Sequence, residues 1–158
     1  MLSIIIVNYN GIKLLPDCIA SIEKYADVPY EIIVVDNASI DGSAALLKES
    51  YPQVRLIESK VNTGFTGGNN IGGRAALGDL LLILNNDTKL LTSLKPAVKR
   101  FEEDEKLGAL GCRMYFNDRS FQDSMGFEHT PLRVMLAWTG LHRLTASLLF
   151  REIDFDRA

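Results

Sequence analysis

The hydrophobic pattern of the first ninety residues alternates between two periods. Four short, largely apolar runs predict strands, and the first two are β-branched at most positions, as is typical of strands buried on both faces. The runs are LSIIIV (residues 2–7), YEIIVVD (30–36), QVRLIES (53–59) and DLLLIL (79–84). Because helical segments separate them, the chain is predicted to form an α/β fold with a mainly parallel sheet and right-handed crossovers.

Three helices are predicted between these strands. Apolar side chains at helical spacing predict the first over residues 12–25: Leu14, Leu15, Cys18, Ile19 and Ile22. The second is SAALLKES (43–50), which Asp41 and Ser43 can cap through their side-chain oxygens. The third is an Ala-rich helix that ends near Leu77 and follows a glycine loop beginning NTGFTGG (62–68).

The pattern is less regular after residue 90. Residues 91–104 predict a helix that ends in the acidic, solvated cluster EEDE (102–105). LGALGCRMYF (107–116) predicts a strand and NDRS (117–120) a turn. Residues 131–150 predict an apolar helix, but Arg133, His142 and Arg143 interrupt it, so it does not span a bilayer. This helix could pack on the domain, on missing polypeptide or on a membrane surface.

Composition and charge narrow the class of protein. The 158 residues are 47% hydrophobic and 23% charged, which is typical of a soluble globular domain. A net charge of -3 gives no basic surface for nucleic acid. Cys18 and Cys112 match no metal-ligand spacing and lie in apolar surroundings, so both are predicted to be buried thiols rather than a disulfide. Free thiols and an N-terminus that resembles a strand rather than a signal peptide together favour a cytoplasmic location.

Polar residues follow three of the predicted strands. Asn8, Tyr9 and Asn10 end the first strand, Asp36, Asn37 and Ser39 the second, and Asn85, Asn86 and Asp87 the fourth. Ligands of open parallel sheets bind beyond the carboxyl ends of the strands, so these side chains predict one crevice for a base, a ribose and a hard cation. Each group alone could also be local turn chemistry.

These segments also carry a family resemblance over residues 2–90. SIIIVNYNG, EIIVVDNASIDGS and NTGFTGGNNIGGRAALGDLLLILNNDT, in this order, resemble the donor-binding half of family-two inverting glycosyltransferases, and NNDT is similar to the rhamnosyltransferase-like subgroup. The resemblance implies a Rossmann-like GT-A fold, a three-layer sandwich that is C-terminally truncated here. It implies transfer, with inversion, from a dTDP- or UDP-sugar, dTDP-rhamnose among them, to a glycan or lipid-linked acceptor.

The resemblance also implies roles for individual residues. Asp36 matches the acid that binds the pyrimidine, and Asp87 the last acid of a D-x-D-like motif that coordinates Mg²⁺ or Mn²⁺. Asn86 replaces the earlier acid, and Asn69 stands where many relatives carry Arg or Lys, so Arg74, the glycine-loop amides or the metal must supply positive charge. The expected nucleotide-sugar-binding residues are Val7, Asn8, Tyr9, Asn10, Asp36, Asn37, Asn62, Gly64, Asn69, Asn70 and Asn86.

The acceptor half carries no comparable motif. An inverting transfer needs a general base, which we expect beyond Ala158, because the nearest acids, Glu128, Asp154 and Asp156, are typical of surface residues. We therefore expect a donor-binding domain over residues 1–128 and, over 129–158, a helical extension that starts a missing acceptor half.

Several partners and one other function remain open. The expected partners are a nucleotide-sugar donor and a glycan or lipid-linked acceptor, without nucleic acid. Two further possibilities are left open: peripheral contact of residues 131–150 with the inner face of the membrane, and formation of a homodimer. The alternative function is a non-catalytic nucleotide-sugar-binding module that works with another chain.

Overall fold

Strands and helices alternate along residues 1–108, as the hydrophobic pattern predicts. The structure is a computed structural model that describes residues 1–122, and residues 1–108 form one compact unit. Its elements are β1 (Leu2–Asn8), α1 (Leu15–Tyr25), β2 (Tyr30–Asn37), α2 (Ser43–Ser50), β3 (Val54–Ser59), α3 (Gly64–Ala75), β4 (Leu80–Asn85) and α4 (Lys95–Glu103). The four strands are parallel, in the order β3–β2–β1–β4. The predicted fold class is confirmed.

The strand register places the polar strand ends side by side. Asn8 of β1 lies opposite Asp36 of β2, and Val7 lies opposite Asn85 of β4. The chain runs outward from β1 through β2 to β3 and then returns to place β4 on the other side of β1. The strand order therefore reverses beside β1, which is where open α/β sheets bind their ligands.

One face of the sheet packs against α1 and α2. Ile4 and Ile6 of β1 are fully buried in a cluster with Leu15, Ile19 and Ile22 of α1. The predicted helical spacing is confirmed at these positions. Leu14 is the exception, because it precedes the first turn of α1 and is exposed.

The opposite face packs against α3, which contains the predicted glycine loop. Gly64 begins this helix, and Gly68 and Gly72 follow at spacings of four residues. A Cβ on Gly68 would lie 2.6 Å from a methyl of Val7, and one on Gly72 would lie 2.4 Å from a methyl of Ile5. The loop prediction is wrong because these glycines, despite their poor helix propensity, let α3 approach the β-branched side chains of β1. Helices on both faces complete a three-layer arrangement.

This close approach predicts opposite effects at two adjacent glycines. We expect Gly72→Ala to lower the free energy of unfolding by about 1–2 kcal/mol, because overpacking outweighs the gain in helix propensity. Gly73→Ala is the matched control, because its Cβ would meet only Leu81, at 3.9 Å. We expect it to raise the free energy of unfolding by up to about 1 kcal/mol. Urea unfolding measures both, and equal effects would contradict the packing explanation.

The end of the described chain departs from two predictions. α4 is confirmed and the acidic cluster at 102–105 is exposed, but the strand predicted over 107–116 is reduced to β5 (Met114–Tyr115). It pairs with β6 (Phe121–Gln122) around the predicted turn. Residues 107–113 form no strand because they pair with none in the described part of the chain. Cys18 is buried as predicted, whereas Cys112 is exposed because this segment is uncovered.

The helix predicted over residues 131–150 and the extension predicted over 129–158 lie outside the described residues. No helix within residues 1–122 is long and apolar enough to cross a membrane.

Candidate functional site

One buried side chain joins the ends of three strands. Asn8 is fully buried, and its Nδ2 donates hydrogen bonds to Asp36 Oδ1 (3.1 Å) and to Ser39 Oγ (3.2 Å). Its Oδ1 accepts a hydrogen bond from Asn86 Nδ2 (2.9 Å). The predicted convergence of β1, β2 and β4 therefore exists as a hydrogen-bonded chain that runs from Asp36 through Asn8 to Asn86.

The direction of the hydrogen bonds from Asn86 through Asn8 to Asp36 follows from the carboxylate at one end. An ionised carboxylate only accepts hydrogen bonds, so Asn8 must present its NH₂ group to Asp36 and its carbonyl oxygen to Asn86. Asn86 must then present its own NH₂ group to Asn8. A carboxylate at position 86 would instead place two acceptors against each other, which gives a physical reason for an amide there.

Gly11 packs directly on this amide pair. A Cβ at Gly11 would lie 2.3 Å from Asn86 Nδ2 and 2.5 Å from Asn8 Oδ1. No side chain fits at this position without displacing the pair. Sequence reasoning missed Gly11, although its place directly after the polar end of β1 was a signal.

Asn37, Asn62 and Gly64 form a second network, which fixes the start of α3. Asn37 is buried, and its Nδ2 donates to Asn62 Oδ1 (2.8 Å) and to the Gly64 carbonyl (3.2 Å). Its Oδ1 accepts from the amide and the hydroxyl of Thr63 (2.9 and 3.0 Å). Gly64 has φ of +71°, a conformation that favours glycine. All hydrogen-bonding groups of the Asn37 side chain are used inside the protein, so its contribution to a ligand site is to position this loop.

Asn10 holds the connection between β2 and α2. Its amide donates to Ser39 Oγ (2.9 Å), and its Oδ1 accepts from the Ile40 amide (2.9 Å). Asn10 and Ala38 both have left-handed backbone conformations, with φ of +52° and +66°. Asn adopts this region readily, whereas Ala does so at a cost of about 1–2 kcal/mol. The neighbouring Tyr9 is 53% exposed, so its ring is accessible beside the strand ends.

Asp41 ties the same connection to the start of α1. It accepts hydrogen bonds from the Ile12 amide (2.8 Å) and the Ser43 amide (3.0 Å), and from the Ser43 hydroxyl. The N-cap of α2 is Gly42, so neither predicted residue occupies that position. Asp41, one residue earlier, accepts from the amide of Ser43, the first residue of the helix, and the Ser43 hydroxyl donates to Asp41. Burial opposes ionisation of Asp41, but these hydrogen bonds outweigh it and hold its pKa below the usual value.

This pKa predicts an acid-sensitive contribution to stability. Because the pKa of Asp41 is lower in the folded than in the unfolded chain, ionised Asp41 stabilises the fold above the unfolded value of about 3.9. That stabilisation is lost as the pH falls through the folded pKa. Urea unfolding from pH 7 to pH 3 should therefore show a shallower loss of stability for Asp41→Asn than for the wild type. Identical slopes would contradict this role.

A pocket of about 360 Å³ opens beside the hydrogen-bonded chain and is lined by Val7, Phe65, Asn85, Asn86 and Asp87. Asp87 is exposed, and its nearest hydrogen-bond partner is the Thr88 hydroxyl at 3.5 Å. It takes part in no salt bridge among residues 1–122. Its carboxylate oxygens are therefore accessible to a ligand.

The donor set of the pocket fits a hard cation. Within residues 1–122 no three His, Cys, Asp or Glu side chains cluster as a metal site, and Asp87 is the one acid of those residues that lines the pocket. Mg²⁺ commonly takes one or two carboxylates and completes its shell with water and phosphate oxygens. Burial and the charge of Asp87 raise the pKa of the neighbouring Cys18 to about 12.

A sequence comparison identifies the family of the chain. The family model described as "Glycosyl transferase family 2" matches residues 3–155. The chain belongs to glycosyl transferase family 2. Its parallel sheet and the polar crevice at the carboxyl ends of the strands are thus features of a family 2 protein.

Individual proteins extend this comparison. The family 2 chain is 35% identical over 137 residues to the poly(ribitol-phosphate) beta-glucosyltransferase of Bacillus spizizenii, covering 82% of this chain and 22% of that protein. The crystal structure of S. aureus TarS 1-349 in complex with UDP is similar with a TM-score of 0.58 at 25% identity, covering 65% of this chain and 32% of TarS 1-349.

The mannosyltransferase PcManGT from Pyrobaculum calidifontis, in complex with GDP-Man and Mn²⁺, is similar with a TM-score of 0.58 at 26% identity. This match covers 63% of the family 2 chain and 32% of PcManGT. The chain therefore spans less than a third of the length of these three proteins. The similarity places it among GT-A-like structures.

The remaining predicted residues of the family 2 chain lie on α3. Asn69 Nδ2 donates to the Phe65 carbonyl (3.0 Å), while its Oδ1 is buried and has no partner in the described part of the chain. Asn70 is exposed. Arg74 lies nine residues after Phe65, about 13 Å further along the helix axis, and is not among the residues that line the pocket.

Proposed function

We propose that this chain is the donor-binding part of a metal-dependent glycosyltransferase. The donor crevice is the pocket that Asn85, Asn86 and Asp87 line, beside the buried pair of Asn8 and Asp36. The observation that carries the proposal is the hydrogen bonding of Asn8, which connects Asp36 to Asn86 beside the accessible carboxylate of Asp87. Family membership and the UDP and Mn²⁺ complexes of the two similar structures support it.

The chemistry of transfer gives these residues separate tasks. The bond between the anomeric carbon and the diphosphate oxygen breaks as the acceptor oxygen forms its bond to that carbon. The diphosphate leaves with the bonding electrons, and the acceptor hydroxyl gives its proton to a general base. A divalent cation, when bound, neutralises the charge that develops on the diphosphate. Asp87 holds that cation, with Asn85 and Asn86 as neighbouring polar groups. Asp36, held by Asn8 and Ser39, accepts hydrogen bonds from the base through its remaining lone pairs.

The base, sugar and acceptor are finer parts of the proposal. A carboxylate acceptor at Asp36 suits the N–H of uracil or thymine, so we propose a UDP- or dTDP-sugar. The resemblance of NNDT to the rhamnosyltransferase-like subgroup makes dTDP-rhamnose the first dTDP-sugar to test. The similarity to a poly(ribitol-phosphate) beta-glucosyltransferase supports a glycan or lipid-linked acceptor, and hence a role in cell-wall or polysaccharide biosynthesis. Inversion at the anomeric carbon and a cytoplasmic location belong to the same proposal.

A second candidate is a nucleotide-sugar-binding module that acts with another chain. It is favoured by the lining of the pocket, in which Asp87 is the single acid among the described residues. If Asp87 holds the cation, this lining supplies no general base for the acceptor hydroxyl. Donor binding without hydrolysis or transfer would favour this candidate, and turnover of a donor sugar would exclude it.

The first experiment is thermal unfolding of the 158-residue chain with UDP, dTDP or GDP, each with Mn²⁺ or EDTA. We expect UDP or dTDP with Mn²⁺ to raise the melting temperature, since a ligand at a hundred times its dissociation constant stabilises by about 2.7 kcal/mol. GDP tests whether binding depends on the identity of the base. If no nucleotide shifts the melting curve with or without metal, the proposal is wrong.

A further inference from the structure

Helix α1 contacts both ends of the segment that carries Asp87. This segment, residues 85–90, is called the Asp87 turn below. At its start, Cys18 Sγ donates a hydrogen bond to the Asn85 carbonyl (3.6 Å). At its end, the Leu90 amide donates to Ser21 Oγ (2.9 Å). The two anchoring side chains lie three residues apart, on one face of α1.

The two side chains that hold the ends of the turn are buried, whereas a salt bridge between the same segments is exposed. Cys18 is 1% and Ser21 8% exposed, and the Ser21 hydroxyl also donates to the Cys18 carbonyl (2.7 Å). A salt bridge between Asp17 and Lys89 (2.6 Å) spans the same two segments at the surface, with both side chains more than half exposed. Exposed pairs of this kind contribute little, so the buried thiol and hydroxyl are the effective anchors.

Asp87 itself has little that fixes its position. It is exposed, and its hydrogen bond with Thr88 is long at 3.5 Å. Thr88 donates its amide to the Asn85 carbonyl (3.1 Å), the same oxygen that Cys18 contacts. The position of the carboxylate is therefore set by the two ends of the turn and by the hydrogen bond from Asn86 to Asn8.

We propose that Ser21 and Cys18 are positioning residues that hold the Asp87 carboxylate where it can bind a divalent cation. This inference rests on the proposed function. Side chains that orient metal ligands without touching the metal typically change metal affinity by about 10–100-fold when they are replaced. Removing the Ser21 hydroxyl leaves the Leu90 amide without its acceptor and frees the end of the turn.

Ser3 provides a matched control at the other end of β4. It is fully buried, its Oγ accepts a hydrogen bond from the Gly78 amide (2.9 Å) and it donates to Glu31 (2.6 Å). Ser3→Ala therefore removes the same chemical group and the same kind of contact as Ser21→Ala. The two contacts differ in place, because Gly78 precedes β4 whereas Leu90 ends the Asp87 turn.

The test is titration calorimetry of UDP with Mn²⁺ and with EDTA, on the full chain and on both variants. We expect Ser21→Ala to weaken Mn²⁺-supported UDP binding about tenfold while binding in EDTA stays at the wild-type value. Ser3→Ala should leave both values unchanged. A wild-type response to Mn²⁺ in Ser21→Ala, or an equal loss in Ser3→Ala, would overturn the inference.

Cys18 gives an independent comparison if Ser21→Ala does not fold. Cys18→Ala should reduce the response to Mn²⁺, and Cys18→Ser, which keeps a donor for the Asn85 carbonyl, should restore it. The absence of this difference would overturn the inference. If the wild type binds neither UDP nor dTDP in either condition, the proposed function itself is wrong. That outcome is distinct from a wild type that binds and a variant that responds normally.

Discussion

Asp87→Asn is expected to remove the metal-dependent part of UDP binding and to leave the metal-independent part. The carboxylate is the only acid that lines the pocket in the described chain, so the amide leaves the cation without a charged protein ligand. A pair of unit charges 4 Å apart interacts by roughly 4 kcal/mol near a protein surface, so the loss of this charge is expected to have a large effect on cation binding. Calorimetric titration of UDP with Mn²⁺ and with EDTA measures both parts.

Asp79→Asn is the matched control for this prediction. Asp79 is an exposed acid that directly precedes β4, whereas Asp87 follows it, and the Asp79 carboxylate pairs with the N-terminal amino group, at 3.4 Å. We expect the control to respond to Mn²⁺ as the wild type does. An Asp87→Asn variant that keeps the full response would show that the cation is held elsewhere.

Asn8→Leu is expected to lower the free energy of unfolding by about 3–4 kcal/mol, because it leaves several buried polar groups unpaired at once. Leucine has a similar volume, so lost hydrogen bonds rather than a cavity dominate the effect. Asp36 loses a donor to its Oδ1, and Asn86 loses the acceptor that orients its amide. UDP binding should therefore also fail at temperatures at which the variant is folded. Urea unfolding and calorimetry measure the two effects separately.

Ile4→Ala distinguishes a specific role of Asn8 from general destabilisation. Ile4 is fully buried in the same strand, away from the crevice, and its truncation costs about 2–5 kcal/mol. We expect this variant to lose similar stability and to bind UDP normally while it is folded. Normal UDP binding by Asn8→Leu would contradict the role of Asn8 in joining the strand ends.

The sheet could be predicted from the sequence because each strand and helix is determined by the pattern of apolar residues within its own segment. Continuous apolar runs such as that from Ile4 to Val7 determine buried strands, and the spacing of Leu15, Cys18 and Ile22 determines the buried face of α1. The parallel register then brings the strand ends together, so the crevice followed from general rules. Gly68 and Gly72 were misjudged because their conformation depends on side chains of β1 that the local sequence does not place.

Within the site, the sequence predicts which residues lie close together better than it predicts the contacts that each side chain makes. Asn37 and Asn62 are part of the expected set, but their amides bind each other and the start of α3. Asn8 was expected at the nucleotide and is instead buried between Asp36 and Asn86. An amide can turn toward a ligand or toward the protein, and only the surrounding donors and acceptors decide between these orientations. Gly11 had no recognisable task until its neighbours were known.

The most direct test of the donor crevice is a crystal structure of the chain with UDP and Mn²⁺, with the cation located by its anomalous signal. We expect Mn²⁺ within about 2–2.5 Å of an Asp87 carboxylate oxygen, a distance typical of oxygen-ligated divalent cations, and in contact with the diphosphate. The uracil should lie next to Asp36. Mn²⁺ bound away from Asp87, or UDP bound outside the ends of β1, β2 and β4, would contradict the proposed donor crevice.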